Sequence, residues 1–396
     1  MAKRRCDGSK RHAKHYIYVY IMMNTDHSDV APSPPQQPQP TAYVIAVIAK
    51  CPMAGQSKTR LQPLFSTSEE RGADDVPPPD PAGAVILAKA MLWDVLVSIS
   101  HCCRQARQDN RTKKQNSEIH IDQLLFYAPP TNEGYTMMQH MVDACHDNSS
   151  GSNDGGFRND DWTLLPMDHS PPYHSSIPNA PTNREYDSHS SNLSNILSNV
   201  VRTGQNRNTT MPTTVILFGM DAPEIPMSEL YTIITTPFSA SSTTTSTSPS
   251  ITTSAFLCPA HDGGYVMLSI PPLIPPPTMD AIFQSVVPYW SHPRTALAQI
   301  KAFSDVGIAT ILGPLVHDID TPDDVLALVQ RLKSHDTTIS AMNTDSFHEM
   351  ARCSLHRPSV LLATTATSTS PSPTSLFHDF VPCQHTRQAL MDLRLL

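Results

Sequence analysis

The stretch that decides the fold is residues 41–49, TAYVIAVIA, which runs directly into residues 50–61, KCPMAGQSKTRL. A nearly unbroken apolar run rich in β-branched residues predicts a strand that is buried on both faces, as in a parallel sheet. The following loop holds one glycine and three cations. A buried strand that ends in such a loop is typical of the ligand-binding edge of an α/β domain.

Further apolar segments continue this pattern, with strands and helices in alternation. Strands are predicted at residues 123–127, 162–165, 213–218, 255–258, 265–270 and 308–312, and helices at 82–106, 135–145, 193–201, 227–235, 293–304 and 322–332. Strands that alternate with helices indicate βαβ units. The sequence therefore predicts an α/β fold with a mostly parallel central sheet flanked by helices.

Composition separates this domain from several appendages. The 396 residues include 37 prolines, about 9% against an ordinary value of about 5%. Segments rich in Pro, Ser and Thr bury too little apolar surface to offset the entropy of ordering themselves. We expect one domain at residues 41–334, a basic and then Pro-rich tail at 1–40, low-complexity insertions near 147–190 and 239–254, and a mostly disordered C-terminal tail at 335–396.

Charge and cysteine content exclude several classes of protein. The net charge of −8 argues against nucleic acid as a partner, because phosphate neutralisation needs a basic face. No uninterrupted apolar run reaches the roughly 18 residues of a spanning helix, so no membrane span is expected. Eight cysteines in 396 residues are too sparse for a disulfide scaffold, which favours a reducing compartment such as the cytoplasm, and without a C-x-x-C pair a zinc ribbon is not expected. The basic N-terminus leaves organelle targeting open as an alternative.

The loop after the first strand is a candidate phosphate site. Gly55 permits close approach of a ligand to the backbone, and Lys50, Lys58 and Arg60 supply positive charge for a di- or triphosphate. The G-x-x-x-x-G-K pattern of a Walker loop is absent from this stretch. The alternative interpretation is a solvated basic loop.

Acidic residues follow three later strands. Asp221 comes after the strand at 213–218, Asp262 lies in the turn His261-Asp262-Gly263-Gly264-Tyr265, and Asp318 and Asp320 follow the last strand. Carboxylates at strand ends are natural ligands for a cation that bridges phosphates. The alternatives are a helix cap at Asp221 and a plain turn at 262–264. Thr321 also predicts a cap for the last helix, paired with Asp324.

Five motifs in order give a more specific indication: K-x-P-x-x-G-x-x-K-T-R-L, G-x-D-x-P, D-G-G-Y, W-S-x-P-R-T and D-I-D-T-P-x-D. Together they resemble the DUF2064 family, which is described as glycosyltransferase-like members of the GT-A, nucleotide-diphospho-sugar transferase superfamily. The resemblance covers residues 42–333 without the two insertions. Two features depart from it: the G-D-L-G-x-R-type segment is missing, and the D-x-D of glycosyltransferases is reduced to Gly219-Met220-Asp221.

The resemblance implies a GT-A-like domain and a set of site residues. The nucleotide phosphates would be held by Lys50, Gly55, Lys58, Thr59 and Arg60. A divalent ion, Mg²⁺ or Mn²⁺, would be bound by Asp221 and Asp320, whose carboxyls we expect within roughly 8 Å of each other. The catalytic residues would be Asp262 and Asp318. Substrate would contact Gly263, Gly264, Tyr265, Trp290 and Ser291.

Three functions remain open on the sequence. The first is a metal-dependent, glycosyltransferase-like enzyme that uses a nucleotide-diphospho-sugar and an acceptor of unknown kind. The second is a nucleotidyltransferase that joins a nucleoside triphosphate to a small phosphorylated acceptor and releases pyrophosphate. The third is a nucleotide-binding module without catalytic activity.

Overall fold

The predicted first strand lies inside a seven-stranded sheet. The strands are β1 Ala42–Lys50, β2 His120–Ala128, β3 Thr163–Pro166, β4 Thr213–Gly219, β5 Ser254–Pro259, β6 Tyr265–Ile270 and β7 Ala309–Leu312. Their order across the sheet is β3-β2-β1-β4-β6-β5-β7. Strand β6 runs antiparallel to β4 and β5, and the other pairs are parallel. This mostly parallel α/β sheet confirms the fold class expected from the sequence.

The computed structural model describes residues 42–55, 57–65, 81–112, 119–147, 162–167, 188–208, 210–235, 254–342 and 383–396. The expected tail at 1–40 lies outside the described residues. So does most of the expected insertion near 147–190, apart from Asp147, β3 with its two flanking residues, and 188–190. The insertion expected at 239–254 lies outside them up to Ser254, where β5 begins.

Eight helices are present in the described part of the chain. They are α1 Pro81–Thr112, α2 Asn132–Asp147, α3 Ser188–Gln205, α4 Met227–Thr235, α5 Pro276–Val286, α6 Thr295–Asp305, α7 Pro322–Met342 and α8 Gln384–Asp392. Residues of α1, α2 and α4 share a core with one face of the sheet, and residues of α3, α5 and α6 share a core with the other. The sheet is therefore covered on both faces, as its long apolar strands require.

The alternation of side chains along β1 explains why this strand is apolar throughout. Ile45 and Val47 belong to the core that includes α1, while Val44 and Ala46 belong to the core that includes α3. Successive side chains of a strand point to opposite faces. Because both faces are covered, no position along the middle of β1 is left for a polar residue.

Helix α5 is an element that the sequence analysis missed. It begins at Pro276 inside a proline-rich stretch for which no helix or strand was predicted. Proline is compatible with the first turn of a helix, because the amide it lacks has no partner there. Met279, Ile282 and Phe283 then bury one face of the helix in the core beside α3.

Helix α8 lies inside the C-terminal tail at 335–396 that we expected to be mostly disordered, and residues 343–382 of that tail lie outside the described residues. It packs on a third cluster of buried residues, built from α1, α7, α8 and the 3-10 helix Thr59–Phe65, in which Leu390 is fully buried. The carboxylate of Asp94, 3% exposed, accepts the backbone amides of His385 (2.9 Å) and Thr386 (2.7 Å). A side chain on α1 thus caps the N-terminus of α8, a signal that local sequence does not contain. Helix α7 also extends past the expected boundary, to Met342.

By length and composition alone, α1 is apolar enough to cross a membrane. In the structure 67% of its most apolar window is buried inside the protein. Its buried residues, among them Leu92 and Ile99, pack in the core on one face of the sheet. The apolar character of α1 is accounted for by this burial.

Candidate active site

The acidic residues singled out from the sequence converge because of the parallel sheet. Strands β1, β4, β5 and β7 run in the same direction, so the loops that follow them leave the same edge of the sheet. Lys58 follows β1, Asp221 follows β4, Asp262 follows β5, and Asp318 and Asp320 follow β7. We refer to these four aspartates as the carboxylate centre.

The dipeptides His261-Asp262 and His317-Asp318 lie side by side. Beyond β5 and β7 an isolated parallel bridge joins Ala260 to Val316, and the amide of His261 donates to the carbonyl of Val316 at 3.1 Å. This register aligns the next two residues of both segments. The rings of His261 and His317 stack with centroids 3.6 Å apart, and Asp262 and Asp318 follow them.

The imidazole of His317 favours the neutral form. Burial lowers its pKa, and the positive charge of Arg331 and the stacked His261 lower it further. The Arg331 guanidinium is itself held by Glu224 through contacts of 2.6 and 3.0 Å. A neutral imidazole adds no charge to the carboxylates beside it.

Three of the four aspartates form a group that can hold a cation. Asp262, Asp318 and Asp320 each offer a carboxylate oxygen, and these oxygens all lie within 4.8 Å of one another. Burial and the negative charges of Asp262, Asp221 and Asp320 raise the pKa of Asp318 to about 7. A hard divalent cation bound to such oxygens would remove this repulsion, so the donor set fits Mg²⁺ or Mn²⁺.

The ammonium group of Lys58 lies between two of the carboxylates. Its Nζ is 3.2 Å from Asp221 Oδ2 and 2.5 Å from Asp320 Oδ1, so the two carboxyls are well within the roughly 8 Å expected. Burial, the largest single effect, lowers the pKa of Lys58, but Asp221 and Asp320 together outweigh it, and the pKa is raised. Lys58 is therefore a charged residue in direct contact with the carboxylate centre.

This contact changes the expected roles of Lys58 and Asp221. Lys58 is directed to carboxylates rather than exposed for a phosphate, because two negative charges and a carbonyl already surround it. Asp221, expected as a metal ligand with Asp320, is paired with this ammonium group. The carboxylate oxygens that lie close enough together to share a metal ion belong to Asp262, Asp318 and Asp320. The resemblance implied catalytic roles for the first two of these residues.

The remaining residues of the predicted phosphate loop are open to solvent. Lys50 at the end of β1, Gly55, Thr59 and Arg60 are exposed. Gly55 has a φ of +73°, and a Cβ built there meets nothing within 4 Å. An exposed glycine turn with two exposed cations retains the features that favour phosphate binding.

The start of α7 holds Asp320 in place through a capping box. The Asp324 carboxylate accepts the amides of Thr321 (2.8 Å) and Asp320 (3.1 Å), and the Thr321 hydroxyl faces the Asp324 amide at 3.4 Å. Burial alone would raise the pKa of Asp324, and these hydrogen bonds lower it. The cap predicted from Thr321 and Asp324 is confirmed.

The glycine turn after β5 serves packing more than ligand access. Gly263 has a φ of +93°, and a Cβ there would lie 2.1 Å from the carbonyl oxygen of Pro293. The amide of Gly264 donates to Asp262 Oδ1 at 2.6 Å, which fixes the Asp262 side chain. The space expected for a substrate beside Gly263 is occupied by the chain just before α6, and Gly264 orients the carboxylate.

Tyr265 and Trp290, expected as substrate contacts, lie beside each other next to α3. Tyr265 and Trp290 meet edge to face at 6.4 Å, and the Trp290 indole donates to Ser194 Oγ on α3 at 2.8 Å. Burial raises the pKa of Tyr265. Both side chains are partly buried and pack against the core between the sheet and α3. Ser291 is exposed beside them, with a φ of +61°.

Three contributors to the centre were missed in the sequence. Ile319, fully buried, offers its carbonyl oxygen to Lys58 Nζ at 2.7 Å. The D-I-D pattern could have identified Ile319, because an apolar residue between two aspartates points inward while both aspartates stay partly exposed. His261 and His317 carry a second signal, the repeated His-Asp dipeptide after two strands.

Comparison with known proteins adds a distant likeness. No protein-family model matches this chain, and no curated protein matches it. A solved structure from Desulfovibrio desulfuricans G20, provisionally named a nucleotide-diphospho-sugar transferase, is 14% identical with a TM-score of 0.43. The match covers 88% of this chain and 97% of that chain. A likeness this distant assigns no residue and no activity, and the resemblance to DUF2064 stays a prediction.

Proposed function

We propose that this protein is a divalent-metal-dependent transferase that uses a nucleotide-activated donor, in the manner of a glycosyltransferase acting on a nucleotide-diphospho-sugar. The observation that carries the proposal is the group Asp262, Asp318 and Asp320, whose oxygens lie within 4.8 Å of one another. This group opens at the carboxyl edge of the sheet, next to an exposed basic loop. The motifs that resemble DUF2064 supply every one of these residues.

The residues divide into an acidic and a basic part. Asp262, Asp318 and Asp320 would hold Mg²⁺ or Mn²⁺, which supplies positive charge to the diphosphate of the donor. Lys50 at the end of β1 and Arg60 in the 3-10 helix that follows, both exposed, would bind the outer phosphate oxygens. Gly55 leaves the backbone amides of the loop between them accessible to a phosphate. A departing nucleoside diphosphate is stabilised by positive charge, which the bound ion and the cations of the basic part would supply together.

Nucleotidyl transfer is the second candidate, and one observation favours it. Asp320 is shared between two groups of carboxylates, one with Asp262 and Asp318 and the other with Asp221. An ion in the first group and the Lys58 ammonium in the second would place two adjacent positive charges at Asp320, which would stabilise the negative charge that develops in phosphoryl transfer. In that case the substrate would be a nucleoside triphosphate, and the product besides the transferred nucleotide would be pyrophosphate.

Product analysis tests the proposal and separates the two reactions. The full chain is incubated with a panel of nucleotide sugars and nucleoside triphosphates, with Mg²⁺, Mn²⁺ or EDTA. Metal-dependent release of a nucleoside diphosphate from a nucleotide sugar supports the glycosyltransferase proposal, and release of pyrophosphate supports the alternative.

Asp320→Asn should abolish either activity, and Asp323→Asn, an exposed neighbour on α7, is the matched control. Binding of nucleotides without turnover of any of them would contradict both reactions and leave the third function, a binding module.

A further inference from the structure

Lys58 occupies a position that is built for a cation. Its ammonium nitrogen contacts three oxygens from two loops: Asp320 Oδ1 at 2.5 Å, the Ile319 carbonyl at 2.7 Å and Asp221 Oδ2 at 3.2 Å. The side chain of Lys58 is 9% exposed, whereas those of Asp221 and Asp320 are 34% and 40% exposed. Solvent therefore reaches the two carboxylates, whereas the Lys58 ammonium group contacts them from inside the protein.

The chain around Lys58 is shaped to deliver this charge. Lys58 has a φ of +50°, in the left-handed region that residues with a side chain rarely adopt. The 3-10 helix starts at the next residue, and its Leu61 is fully buried in the cluster that also contains Ile319. The backbone that carries the ammonium group and the backbone that accepts it are therefore packed against the same core.

The charge of Lys58 acts on the neighbouring group of aspartates through Asp320. Asp320 is the one residue that belongs to both the Lys58 site and the group with Asp262 and Asp318. A divalent ion bound by that group would lie beside the ammonium, and like charges at such short range repel strongly in a partly buried site. Lys58 would therefore lower the affinity for the ion and prevent a second one from binding.

We propose that Lys58 is a built-in counter-cation that fills a second cation position, formed by Asp221, Asp320 and the Ile319 carbonyl, so that the centre accepts a single divalent ion. The inference rests on the proposed function for the ion held by Asp262, Asp318 and Asp320. It adds that the stoichiometry is set by Lys58. Removing its charge opens the second position to Mg²⁺ or Mn²⁺.

Titration of Mn²⁺ against the full chain, followed by the electron paramagnetic resonance signal of free Mn²⁺, tests this. We expect one ion on the parent and one on Lys58→Arg, which keeps the charge. Lys58→Met keeps the length of the side chain without the charge, and we expect it to bind two ions, the tighter of them at least about tenfold more strongly than in the parent. Lys58→Met combined with Asp221→Asn should return to one ion.

The outcomes distinguish this inference from the proposed function. One ion on the parent and one of equal affinity on Lys58→Met would overturn the counter-cation role and leave the proposed metal site intact. No ion on either protein would overturn both. If Lys58→Met is unfolded by circular dichroism without metal, millimolar Mn²⁺ or Mg²⁺ should refold it, as it should refold Lys58→Gln. Failure of both ions to refold both variants would also overturn the inference.

Discussion

The backbone amide of Ile319 donates a hydrogen bond of 2.9 Å to the carbonyl oxygen of Asp221, and it joins the loop after β4 to the loop after β7. The carbonyl of the same Ile319 accepts Lys58 Nζ, which comes from the loop after β1. One buried apolar residue thus connects three loops that are distant in sequence. The carboxylates on either side of it, Asp318 and Asp320, are held at the sheet edge by this connection.

Replacing Asp320 tests the metal centre. Asp320→Asn removes a donor oxygen and a negative charge from the group that can hold a cation, so we expect Mn²⁺ affinity to fall at least about tenfold. Thermal unfolding with and without Mn²⁺ measures the effect, because an ion that binds only the folded state raises the midpoint. Asp323→Asn removes the same charge from an exposed position in the first turn of α7. Equal metal-induced shifts in the two variants would contradict the assignment.

Asp318 predicts a pH dependence of stability. Its folded-state pKa of about 7 lies above the usual 3.8, so between these values the folded protein holds a proton that the unfolded chain releases. The free energy of unfolding should therefore fall as pH rises from about 4 to about 7, by about 1–2 kcal/mol once solvent screening is allowed for. Asp318→Asn should show no such loss. The difference in the free energy of unfolding between the variant and the parent should therefore widen across this range.

Thermal melts in metal-free buffer at several pH values measure this difference. Saturating Mg²⁺ should narrow it at pH 8, because the ion replaces the proton as the partner of the Asp318 carboxylate. Curves for the two proteins that run parallel from pH 4 to pH 8 would show that Asp318 does not titrate as described.

The sequence predicts the sheet and its loops because both depend on local patterns. The apolar run of β1 and the polar loop after it are recognisable without knowing what lies beside them. The spacing of apolar residues and the positions of turn residues do not reveal which distant side chain a given residue contacts. Lys58 looks like a phosphate ligand in the sequence, and only the arrangement of β1, β4 and β7 in one sheet brings Asp221 and Asp320 to it.

The same limit explains the two missed helices and the glycine turn. The N-terminus of α8 is capped by Asp94, which lies 291 residues before His385. The space beside Gly263 is filled by Pro293, which the D-G-G-Y motif does not reveal. Contacts between distant parts of the chain decide these features, and a single sequence contains no record of them.

Gly263 should be intolerant of a side chain. Gly263→Ala places a Cβ against the Pro293 backbone at a positive φ, so we expect a loss of about 3 kcal/mol or more in the free energy of unfolding. Gly307→Ala is the matched control, since Gly307 has a φ of +79° and a Cβ built there meets nothing within 4 Å. Its cost should be about 1 kcal/mol, from backbone strain alone. Equal losses in urea unfolding would show that the contact with Pro293 is not tight.

Leu390 should be essential to the packing of the C-terminal helix. It is fully buried in the cluster that also contains Leu61 and Ile319, so Leu390→Ala should cost about 2–5 kcal/mol. Met391→Ala, the next residue and 45% exposed, should cost less than about 1 kcal/mol. Chemical unfolding of both variants measures the difference. A Leu390→Ala protein as stable as Met391→Ala would mean that α8 does not pack as described.

Replacing the exposed cations Lys50 and Arg60 distinguishes direct phosphate binding from general electrostatic attraction of a nucleotide. Lys50→Ala and Arg60→Ala should each weaken the binding of a nucleoside diphosphate by about 1–3 kcal/mol, the size of a lost charge-assisted hydrogen bond. Both side chains are exposed, so the free energy of unfolding should change little. Lys301→Ala removes the same charge from α6, where Lys301 pairs with Asp305. Isothermal titration of all three variants with the same nucleotide measures the contrast. If Lys50→Ala and Arg60→Ala bind the nucleotide as Lys301→Ala does, the loop contributes only long-range charge, and the phosphates must be bound elsewhere on the sheet edge.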